Sequence, residues 1–404
     1  MYFAAHVGLD ESKDEAPNSA PAADVSPTDD LSREVYGLLG MPIDAANRDA
    51  VFKRLLSAVT EGKPFLLSTP NVNFLVKSKR DPEFRDSLLC SDLACVDGMP
   101  IVWLARFFGI PVTQRVSGSD LFDTMRSNLS KPIRVFLFGG GEGVAQTVCQ
   151  LINVRPSGMH CVGWLNPGFG TIAEMSTPEI IQTINDSNAD LLAVFLSAKK
   201  AQSWLVLNHN RLGAPVRGQF GATINYQAGT VRRAPLIFRR LGFEWLWRIK
   251  EEPHLWRRYW KDGLSLARLV ITRALPVAIG LGWRRYIQKD NKEELSFEKN
   301  EHHGFIVISL IGYATRKHVT KSIAVFRSLL VEHRDITVDI SRTQSIDPRF
   351  FGLLLMLRKQ LRKNGKILKI TGVSKRSMRI FRLNGFEFLL ESDSGIVTTH
   401  SKMS

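Results

Sequence analysis

Short, almost wholly apolar runs separated by longer stretches of helical character set the strongest limit on how this chain folds. Three of these runs have the length of a buried strand, at residues 65–68, 133–138 and 191–196. Each is followed by a polar or glycine-rich turn and then by an amphipathic helical pattern. Strands that are apolar on both faces are typical of parallel sheets covered by helices. Residues 31–231 are therefore predicted to form a Rossmann-like α/β domain with a mainly parallel sheet.

Composition divides the rest of the 404-residue chain into four further segments. Residues 1–30 are rich in Ala, Pro, Ser and Asp and poor in large apolar side chains, which predicts disorder. Residues 232–287 are predicted to be a basic, helical appendage, and the highly charged residues 288–303 a linker. Residues 304–404 show a second, smaller α/β pattern of alternating strands and helices.

The appendage concentrates the positive charge of the chain. Residues 232–285 carry thirteen Lys and Arg against four Asp and Glu, a net +9 of the formal +15, together with five of the eight tryptophans. Arginine offers paired donors to phosphate, and tryptophan prefers a boundary between water and an apolar phase. An anionic membrane surface, a lipid-linked pyrophosphate and nucleic acid are the candidate partners. The apolar stretch 264–283 contains Arg268 and Arg273, so we expect a helix in the membrane interface rather than a span.

Two further features concern the cellular compartment. The N-terminal residues lack a charged start followed by an apolar run, so no secretory signal is expected. The four cysteines show neither CxxC pairing nor zinc-site spacing, and we expect Cys90 and Cys95 to be small buried side chains in a reducing compartment. These features predict a cytoplasmic protein that lies peripherally on the cytoplasmic membrane.

Chemically active side chains follow three of the predicted strands. Because parallel strands bring their carboxyl ends to one edge of the sheet, residues just after them line the ligand crevice. Residues 68–73 supply hydroxyl and amide groups, residues 95–100 an aspartate on a tight turn, and residues 138–143 glycine N–H groups suited to phosphate. Taken singly, each has a plainer explanation: Asp97 in an ordinary turn, Thr69 and Asn71 as helix caps, and a glycine run without GxGxxG spacing.

Taken together, these motifs resemble those of the WecG/TagA/CpsF glycosyltransferases, bacterial enzymes that add a sugar to a lipid-linked carrier. The resemblance covers residues from about 50 to 262 and depends on seven stretches in the family's order. They are Thr69-Pro70-Asn71, Val96-Asp97-Gly98-Met99-Pro100, Gln114-Arg115-Val116-Ser117-Gly118-Ser119-Asp120-Leu121, Val135-Phe136-Leu137-Phe138-Gly139-Gly140, Asn166-Pro167-Gly168-Phe169-Gly170, Ala228-Gly229-Thr230-Val231-Arg232-Arg233-Ala234-Pro235, and Gly242-Phe243-Glu244-Trp245-Leu246-Trp247-Arg248 continuing to Arg257-Arg258-Tyr259.

The resemblance implies an inverting transfer, without metal or cofactor, from a UDP-sugar donor to a polyprenyl-diphosphate-linked acceptor in surface polysaccharide or exopolysaccharide biosynthesis. The implied sugar is N-acetylmannosamine or a related N-acetylhexosamine. An inverting transfer needs a carboxylate that takes the proton of the acceptor hydroxyl, and positive charge that stabilises the leaving UDP. Asp97 matches the family's catalytic aspartate and is the candidate general base. Thr69 and Asn71 match positions that bind the sugar or orient the acceptor.

The resemblance also implies a set of substrate-binding residues. Arg115 matches a motif arginine and is equally suited to an ion pair with Asp120. The appendage arginines are expected to close over the site and neutralise the UDP phosphates, while the tryptophans rest among lipid headgroups; a solvated basic helix face is the plainer alternative. The candidates are Arg115, Gly118, Asp120, Gly139, Gly140, Lys200, Gln202, Asn225, Arg232, Arg233, Arg248, Arg257 and Arg258.

Two departures from the family pattern favour a second hypothesis. The family's Gln and Glu in Gly-x-Pro-Lys-Gln-Glu-x-Trp fall on Ala201 and Gln202, and its Phe-Asp before Ala-Gly reads Ile224-Asn225. We expect Gln202 to make the hydrogen bonds of the missing amide. The alternative is a catalytically weakened scaffold or regulator that acts through the C-terminal domain. Nucleic acid is not expected as a partner, because no recognised binding module accompanies the charge.

The C-terminal pattern resembles a STAS domain, the fold of anti-sigma-factor antagonists. The resemblance covers residues 304 to about 392 and depends on residues 338–341, 346–355 and 365–373. The family's core motif, Asp-Ser-Ser-Gly-Leu-Gly, places a phosphorylatable hydroxyl at a helix N-terminus. Here Pro348 and Arg349 stand at the two Ser positions. Proline fits the first turn of a helix, so the fold is retained while the phosphate acceptor is lost.

Without that acceptor, we expect the STAS-like domain to be a docking module for a protein partner. Removal of residues 304–404 is then expected to leave sugar transfer largely intact. Since the glycosyltransferase family tends to self-associate, a homo-oligomer is a further candidate assembly.

Overall fold

The computed structural model describes residues 29–127, 129, 131–277 and 294–391. The strands are β1 (Val35–Leu38), β2 (Met41–Asp44), β3 (Phe65–Ser68), β4 (Leu93–Ala94), β5 (Ile133–Gly139), β6 (Met159–Leu165), β7 (Leu191–Phe195), β8 (Val216–Gln219), β9 (Leu295–His302), β10 (Phe305–Ala314), β11 (Asp335–Asp339), β12 (Thr343–Ile346) and β13 (Leu368–Thr371). The helices are α1 (Arg48–Glu61), α2 (Val72–Arg80), α3 (Pro82–Leu89), α4 (Met99–Phe107), α5 (Gly118–Ser127), α6 (Val144–Val154), α7 (Pro178–Asp186), α8 (Ala198–Leu207), α9 (Thr223–Gln227), α10 (Leu236–Arg240), α11 (Glu244–Glu251), α12 (Trp256–Leu269), α13 (Val319–Leu330), α14 (Pro348–Lys363) and α15 (Lys375–Asn384).

The first domain is built on a six-stranded sheet in the order β4-β3-β8-β7-β5-β6. Every strand pair in it is parallel. Strands β3 and β7 are buried at every position because helices cover both faces. The mainly parallel Rossmann-like sheet predicted from the sequence is confirmed, and all six strands deliver their carboxyl ends to one edge.

The C-terminal domain has its own sheet in the order β12-β10-β11-β13, with β9 antiparallel to β10. Helix α14 begins as the sequence predicts. Asp347 precedes it and accepts a hydrogen bond from the N–H of Phe350 (2.8 Å), and Pro348 is its first residue. The second α/β domain predicted from the sequence is confirmed.

Two predicted domain boundaries are wrong. Leu295–His302, assigned to the linker 288–303, is strand β9. Asp30, assigned to the disordered segment 1–30, is buried and begins the 3-10 turn Asp30–Ser32. Both predictions were made from composition. They fail because the charged residues of 295–302 form a strand of the sheet, and Asp30 belongs to a buried ion-pair network. Residues 1–28, 278–293 and 392–404 lie outside the described residues.

The hairpin β1–β2 lies between the two domains. Val35 of β1 belongs to the apolar cluster of the C-terminal domain, together with Phe350 and Phe351 of α14. Leu38 of β1 and Ile43 of β2 belong instead to a cluster of the first domain. The hairpin therefore contributes to both cores and holds the domains against each other.

The cysteines only partly follow expectation. Cys95 is buried, whereas Cys90 is exposed. Cys149 of α6 and Cys161 of β6 are joined by a disulfide, which the sequence analysis did not predict. This bond links a helix to the outermost strand of the first domain's sheet.

Candidate active site

A cleft of about 1440 Å³ opens at the carboxyl edge of the six-stranded sheet. Strand-end residues, including Thr69, Asp97 and Gln219, line it from the side of the sheet. Residues of α11 and α12, including Trp245 and Trp260, line it from the other side. The appendage thus encloses the crevice that the parallel sheet creates.

Asp97 follows β4 and lies in the wall of this cleft, partly buried. Its backbone N–H donates to the carbonyl of Pro70 (2.9 Å), which ties the turn to the end of β3. Gly98 then takes a φ of +89°, a conformation that glycine adopts without strain, and α4 begins. Burial raises the pKa of Asp97; Arg115 opposes this, Glu244 and Asp120 add to it, and the resulting pKa is about 7. Asp97 can therefore hold or release a proton near neutral pH.

Arg115 is the cation that lowers the pKa of Asp97, and it also interacts with two other acids. It forms ion pairs with Asp120 (3.1 Å) and with Glu244, and it lines the cleft. Both proposed roles for Arg115, cleft residue and ion-pair partner of Asp120, are present. Although burial works against its charged form, these acids raise the pKa of Arg115, so it remains a cation at all relevant pH values.

The predicted residues at the strand ends gather in the cleft wall. Thr69 and Asn71 line it, as do Gly118 and Gly140 from α5 and the end of β5. Asn71 also caps α2, since its Oδ1 accepts the N–H of Phe74 (3.3 Å). The capping role and the cleft position therefore coexist. Asn225 lines the cleft as well, whereas Asp120 and Gly139 are not among the lining residues.

The five appendage arginines divide into two groups. Arg248 and Arg258 line the cleft, and Arg248 is held by Tyr226 and Glu252. Arg232, Arg233 and Arg257 lie outside the lining. Arg233 is paired with Asp120 and Asp123. The backbone N–H of Arg232 donates to Glu251 (3.3 Å), and the guanidinium of Arg257 lies over Trp256. Two of the five arginines therefore line the cleft and three do not.

The prediction that Gln202 binds substrate is wrong. Its side chain is fully buried, and its amide bonds to Ser68, Ser91 and the carbonyl of Ser87. Ala201 is also fully buried, so the departure from the family motif at these positions lies inside the protein. Lys200 donates to the carbonyl of Gly170 (2.7 Å) and lies outside the cleft lining.

Helix α12 presents two different faces. Leu266 and Leu269 pack against an apolar cluster of the first domain, and Ala274, in the π-helical turn that follows α12, is fully buried in it. The opposite face exposes an apolar stripe at helical spacing, with Trp260 70% exposed. The stripe consists of Trp256, Trp260 and Leu264, which also line the cleft, and of Ile271 in the π-helical turn. The predicted helix over 264–283 is present as far as residue 277, and the rest lies outside the described residues.

In the part of the chain that the structure describes, no helix is both long and apolar enough to cross a bilayer. Among the same residues, no three His, Cys, Asp or Glu side chains come together as metal ligands.

Sequence reasoning missed the role of Glu244, and it missed Gln219 altogether. Glu244 is one of only four acids in the basic stretch 232–285, and this isolation is a signal that the sequence does contain. Gln219 ends β8 in the cleft wall, and its Oε1 is buried without a hydrogen-bond partner among the described residues. The sequence that leads to Gln219 contains no distinct motif. Only the order of the strands in the sheet places this side chain in the cleft.

Comparisons with known proteins agree with this architecture. Residues 36–278, more than half of the chain, match the profile of the Glycosyl transferase WecG/TagA/CpsF family, and residues 299–391 match that of the Mlab, STAS domain. The chain is 24% identical over 199 residues to the N-acetylglucosaminyldiphosphoundecaprenol N-acetyl-β-D-mannosaminyltransferase of Bacillus spizizenii, covering 49% of this chain and 75% of the relative. It is 24% identical over 208 residues to the enzyme of the same name from Bacillus subtilis, covering 51% and 78%.

One solved structure matches a part of the chain. It is the STAS domain of an antisigma-factor antagonist from Rhodobacter sphaeroides, 20% identical, with a TM-score of 0.17, covering 22% of this chain and 98% of that one. The assignment rests on the two family profiles, which match the two domains in their order along the chain. This chain belongs to the WecG/TagA/CpsF family of glycosyltransferases and carries a C-terminal STAS domain.

Proposed function

We propose that this protein transfers an N-acetylhexosamine, N-acetylmannosamine or a close relative, from a UDP-sugar to a polyprenyl-diphosphate-linked acceptor, with Asp97 as the general base. The observation that carries the proposal is a carboxylate with a pKa of about 7, placed in a cleft whose other walls supply cations. A base is most effective when its pKa lies near the working pH. The names of the two Bacillus relatives suggest the sugar and the acceptor.

In the proposed reaction Asp97 takes the proton of an acceptor hydroxyl. The hydroxyl oxygen then attacks the anomeric carbon of the donor from the face opposite UDP. A new glycosidic C–O bond forms as the bond to the UDP oxygen breaks, and configuration is inverted. The bonding electrons leave with UDP. The negative charge of UDP is stabilised by three arginines that line the cleft, Arg115, Arg248 and Arg258. The proton remains on Asp97 until it passes to solvent. Asp97 and these arginines supply base and charge, so no metal is required.

The acceptor's lipid gives the exposed face of α12 a function. Its apolar stripe is interspersed with the exposed cations Arg257, Lys261 and Arg268. Indole rings and cations side by side suit the headgroup layer of an anionic membrane, where each cation contributes about 1 kcal/mol. In this arrangement the protein lies peripherally on the cytoplasmic membrane, and the cleft beside α12 receives the diphosphate end of the acceptor.

The alternative of a weakened scaffold loses most of its support in the structure. It depended on Ala201 and Gln202 and on Asn225. The first two are buried away from the cleft, where they bind no ligand. Asn225 alone lies in the cleft wall. An amide in place of a carboxylate there bears on which donor fits, and leaves Asp97 in place as the base.

Release of UDP tests the proposal directly. The purified chain is incubated with UDP-N-acetylmannosamine and a short-chain polyprenyl-diphosphate N-acetylglucosamine, with EDTA present. UDP release that needs both substrates supports the proposal. A parallel screen with UDP-N-acetylglucosamine and UDP-N-acetylgalactosamine identifies the donor. No release with any donor at any pH between 6 and 9 would refute the proposed function.

A further inference from the structure

The N-terminal end of α14 is occupied by the protein's own hairpin. Arg349, which stands where related domains carry a phosphorylated hydroxyl, donates to the carbonyls of Val35 (2.9 Å) and Arg33 (3.0 Å). Gly352, one turn further on, lies so close to β1 that a Cβ would overlap the carbonyl oxygen of Val35. Contact this close requires two matched surfaces. The STAS helix that was expected to bind another protein therefore has a partner in the same chain.

Further along α14, a buried network of charges joins the two domains. The ammonium of Lys359, whose side chain is 4% exposed, donates to Asp30 (2.9 Å) and to the backbone carbonyl of Ser91 (3.0 Å). Arg33 donates to the same carbonyl (2.9 Å) and is paired with Asp30 (2.7 Å). Buried charges are tolerated only when each has its partners, so these positions are fixed relative to one another.

Arg33 continues this network to the end of β4. Its guanidinium also pairs with Asp44 at the end of β2 (2.8 Å). The carboxylate of Asp44 accepts the N–H of Ala94 (2.7 Å), three residues before Asp97. The strand that leads to the candidate base is thereby tied to the interface.

Ser91 connects the network to β3. Its carbonyl receives Lys359 and Arg33, while its hydroxyl bonds to the hydroxyl of Ser68 (2.7 Å) and accepts from Gln202 (3.2 Å). Ser68 is the last residue of β3, directly before Thr69. Through one residue, the C-terminal domain contacts the end of the strand that leads into the cleft.

We propose that the STAS domain is a built-in positioning element of the transferase, and that Lys359, acting through Ser91, holds the ends of β3 and β4 so that Thr69 and Asp97 keep their places in the cleft wall. The inference rests on the proposed function for its catalytic consequence. Lys359 and Ser91 are positioning residues, since neither lines the cleft. A shift of about 1 Å in a catalytic group can cost about a hundredfold in rate, so a domain that fixes these strand ends governs turnover.

The test compares Lys359→Met with Lys363→Met in the full chain. Lys363 lies one turn further along α14 and pairs with the same Asp30 (3.0 Å), but it is 50% exposed. Hydrogen exchange of residues 66–71 and 92–98 reports on the strand ends without reference to activity. We expect faster exchange at both in Lys359→Met and unchanged exchange in Lys363→Met. We expect kcat to fall about tenfold or more in the first variant only, with UDP affinity within about twofold of wild type.

Ser91→Ala supplies a second variant, which removes no buried charge. It removes the hydroxyl link to Ser68 while leaving the carbonyl that Lys359 binds, and Gln202 keeps its bond to Ser87. We expect the same exchange pattern and the same fall in kcat, with no further loss when Ser91→Ala and Lys359→Met are combined. Lys359→Arg is expected to restore part of the rate.

Unchanged exchange at 66–71 and 92–98 in Ser91→Ala would overturn the proposal, as would full turnover in a folded Lys359→Met. Should Lys359→Met fail to fold, Ser91→Ala decides the outcome. Should the wild-type chain turn over no donor, the proposed function fails, while the exchange data still judge the positioning role by themselves.

Discussion

Asp30 is buried between the two domains and Asp97 is partly buried in the cleft, and the pKa values of these two carboxyl groups are shifted in opposite directions. Although burial alone would raise it, Lys359, Arg33 and Lys363 hold the pKa of Asp30 well below its usual range. Burial raises the pKa of Asp97 to about 7, because its one cation, Arg115, is shared with Glu244 and Asp120. The number of cations per carboxylate, rather than depth, separates a structural acid from a candidate base.

The comparison also explains why the two sites differ in tolerance. At the interface every charge has partners, and removing one leaves another buried without compensation. In the cleft, the ionised form of Asp97 is disfavoured, and that cost is retained because the proton must be taken up during the reaction. Substitutions in the cleft should therefore alter the reaction rate at little cost in stability. Substitutions at the interface should lower stability, either alone or together with the rate.

The largest expected effect is that of Asp97→Asn, which breaks the cleft and leaves the interface intact. Loss of the base is expected to lower kcat by about 10²–10⁴-fold. The folded-state pKa of Asp97, about 7, lies above the unfolded value of 3.8, so the folded protein loses stability as the pH rises from about 4 to 7, and the full cost of ionising Asp97 remains above pH 7. The variant should thus be more stable than wild type at pH 8.5, with the difference vanishing as the pH falls towards 4. UDP release and thermal melting at both pH values measure this.

Asp49→Asn is the matched control, since Asp49 is an exposed acid in the first turn of α1. It should leave turnover and melting temperature unchanged. If Asp97→Asn retained turnover, or melted lower than wild type at pH 8.5, the assignment of Asp97 as a base with a raised pKa would be wrong.

Gly352→Ala disturbs the interface between the two domains and leaves the cleft unchanged. In a helix interior Ala ordinarily stabilises by about 1 kcal/mol relative to Gly. Here the added Cβ would overlap the carbonyl of Val35, so we expect a loss of about 1–3 kcal/mol from overpacking. Gly263→Ala in α12, where a Cβ would meet open space, is expected to stabilise instead. Denaturant melts of the two variants should move in opposite directions; movement in the same direction would count against the tight contact.

The strand ends of the cleft were within reach of sequence reasoning, and the interface was not. Residues after apolar runs are delivered to one edge of a parallel sheet, so the sequence alone places Thr69, Asp97 and Gly140 together. Lys359 and Asp30 are 329 positions apart and belong to no shared motif. Local pattern carries no information about such a pair.

Composition erred where charge was structural. Asp30 was assigned to a disordered segment and residues 295–302 to a linker, because charged runs usually lie in solvent. The expectation that residues 304–404 are dispensable followed from the missing phosphate acceptor at Pro348 and Arg349. Since Val35 lies in the core of the C-terminal domain and Lys359 binds Ser91, truncation would expose that core and remove Lys359 and Lys363, two of the three cations around Asp30. We now expect truncation to reduce both folding and transfer.

A smaller effect is expected when cations that lie neither at the domain interface nor around Asp97 are replaced. Lys261 and Arg268 are exposed on α12 beside its apolar stripe. Each Ala substitution should weaken binding to vesicles containing phosphatidylserine by about 1 kcal/mol, roughly fivefold, with turnover of a water-soluble acceptor unchanged. Lys366→Ala, in the C-terminal domain, is the control. Equal losses in all three variants would mean that net charge, rather than the face of α12, governs attachment.

The finest test of the comparison is Glu244→Gln, which alters the charge balance around Asp97 without touching the base. Removal of this carboxylate eliminates a negative neighbour of Asp97 and leaves Arg115 shared between fewer acids. Both changes lower the pKa of Asp97, so the acidic limb of the kcat/KM profile, expected near pH 7 in the wild type, should move to lower pH. Glu251→Gln, on the same helix α11 but directed at the backbone of Arg232, should not move it. A shift to higher pH would mean that Glu244 acts mainly by holding Arg115 in place, and the cleft would then resemble the interface, with its cation fully committed to structure.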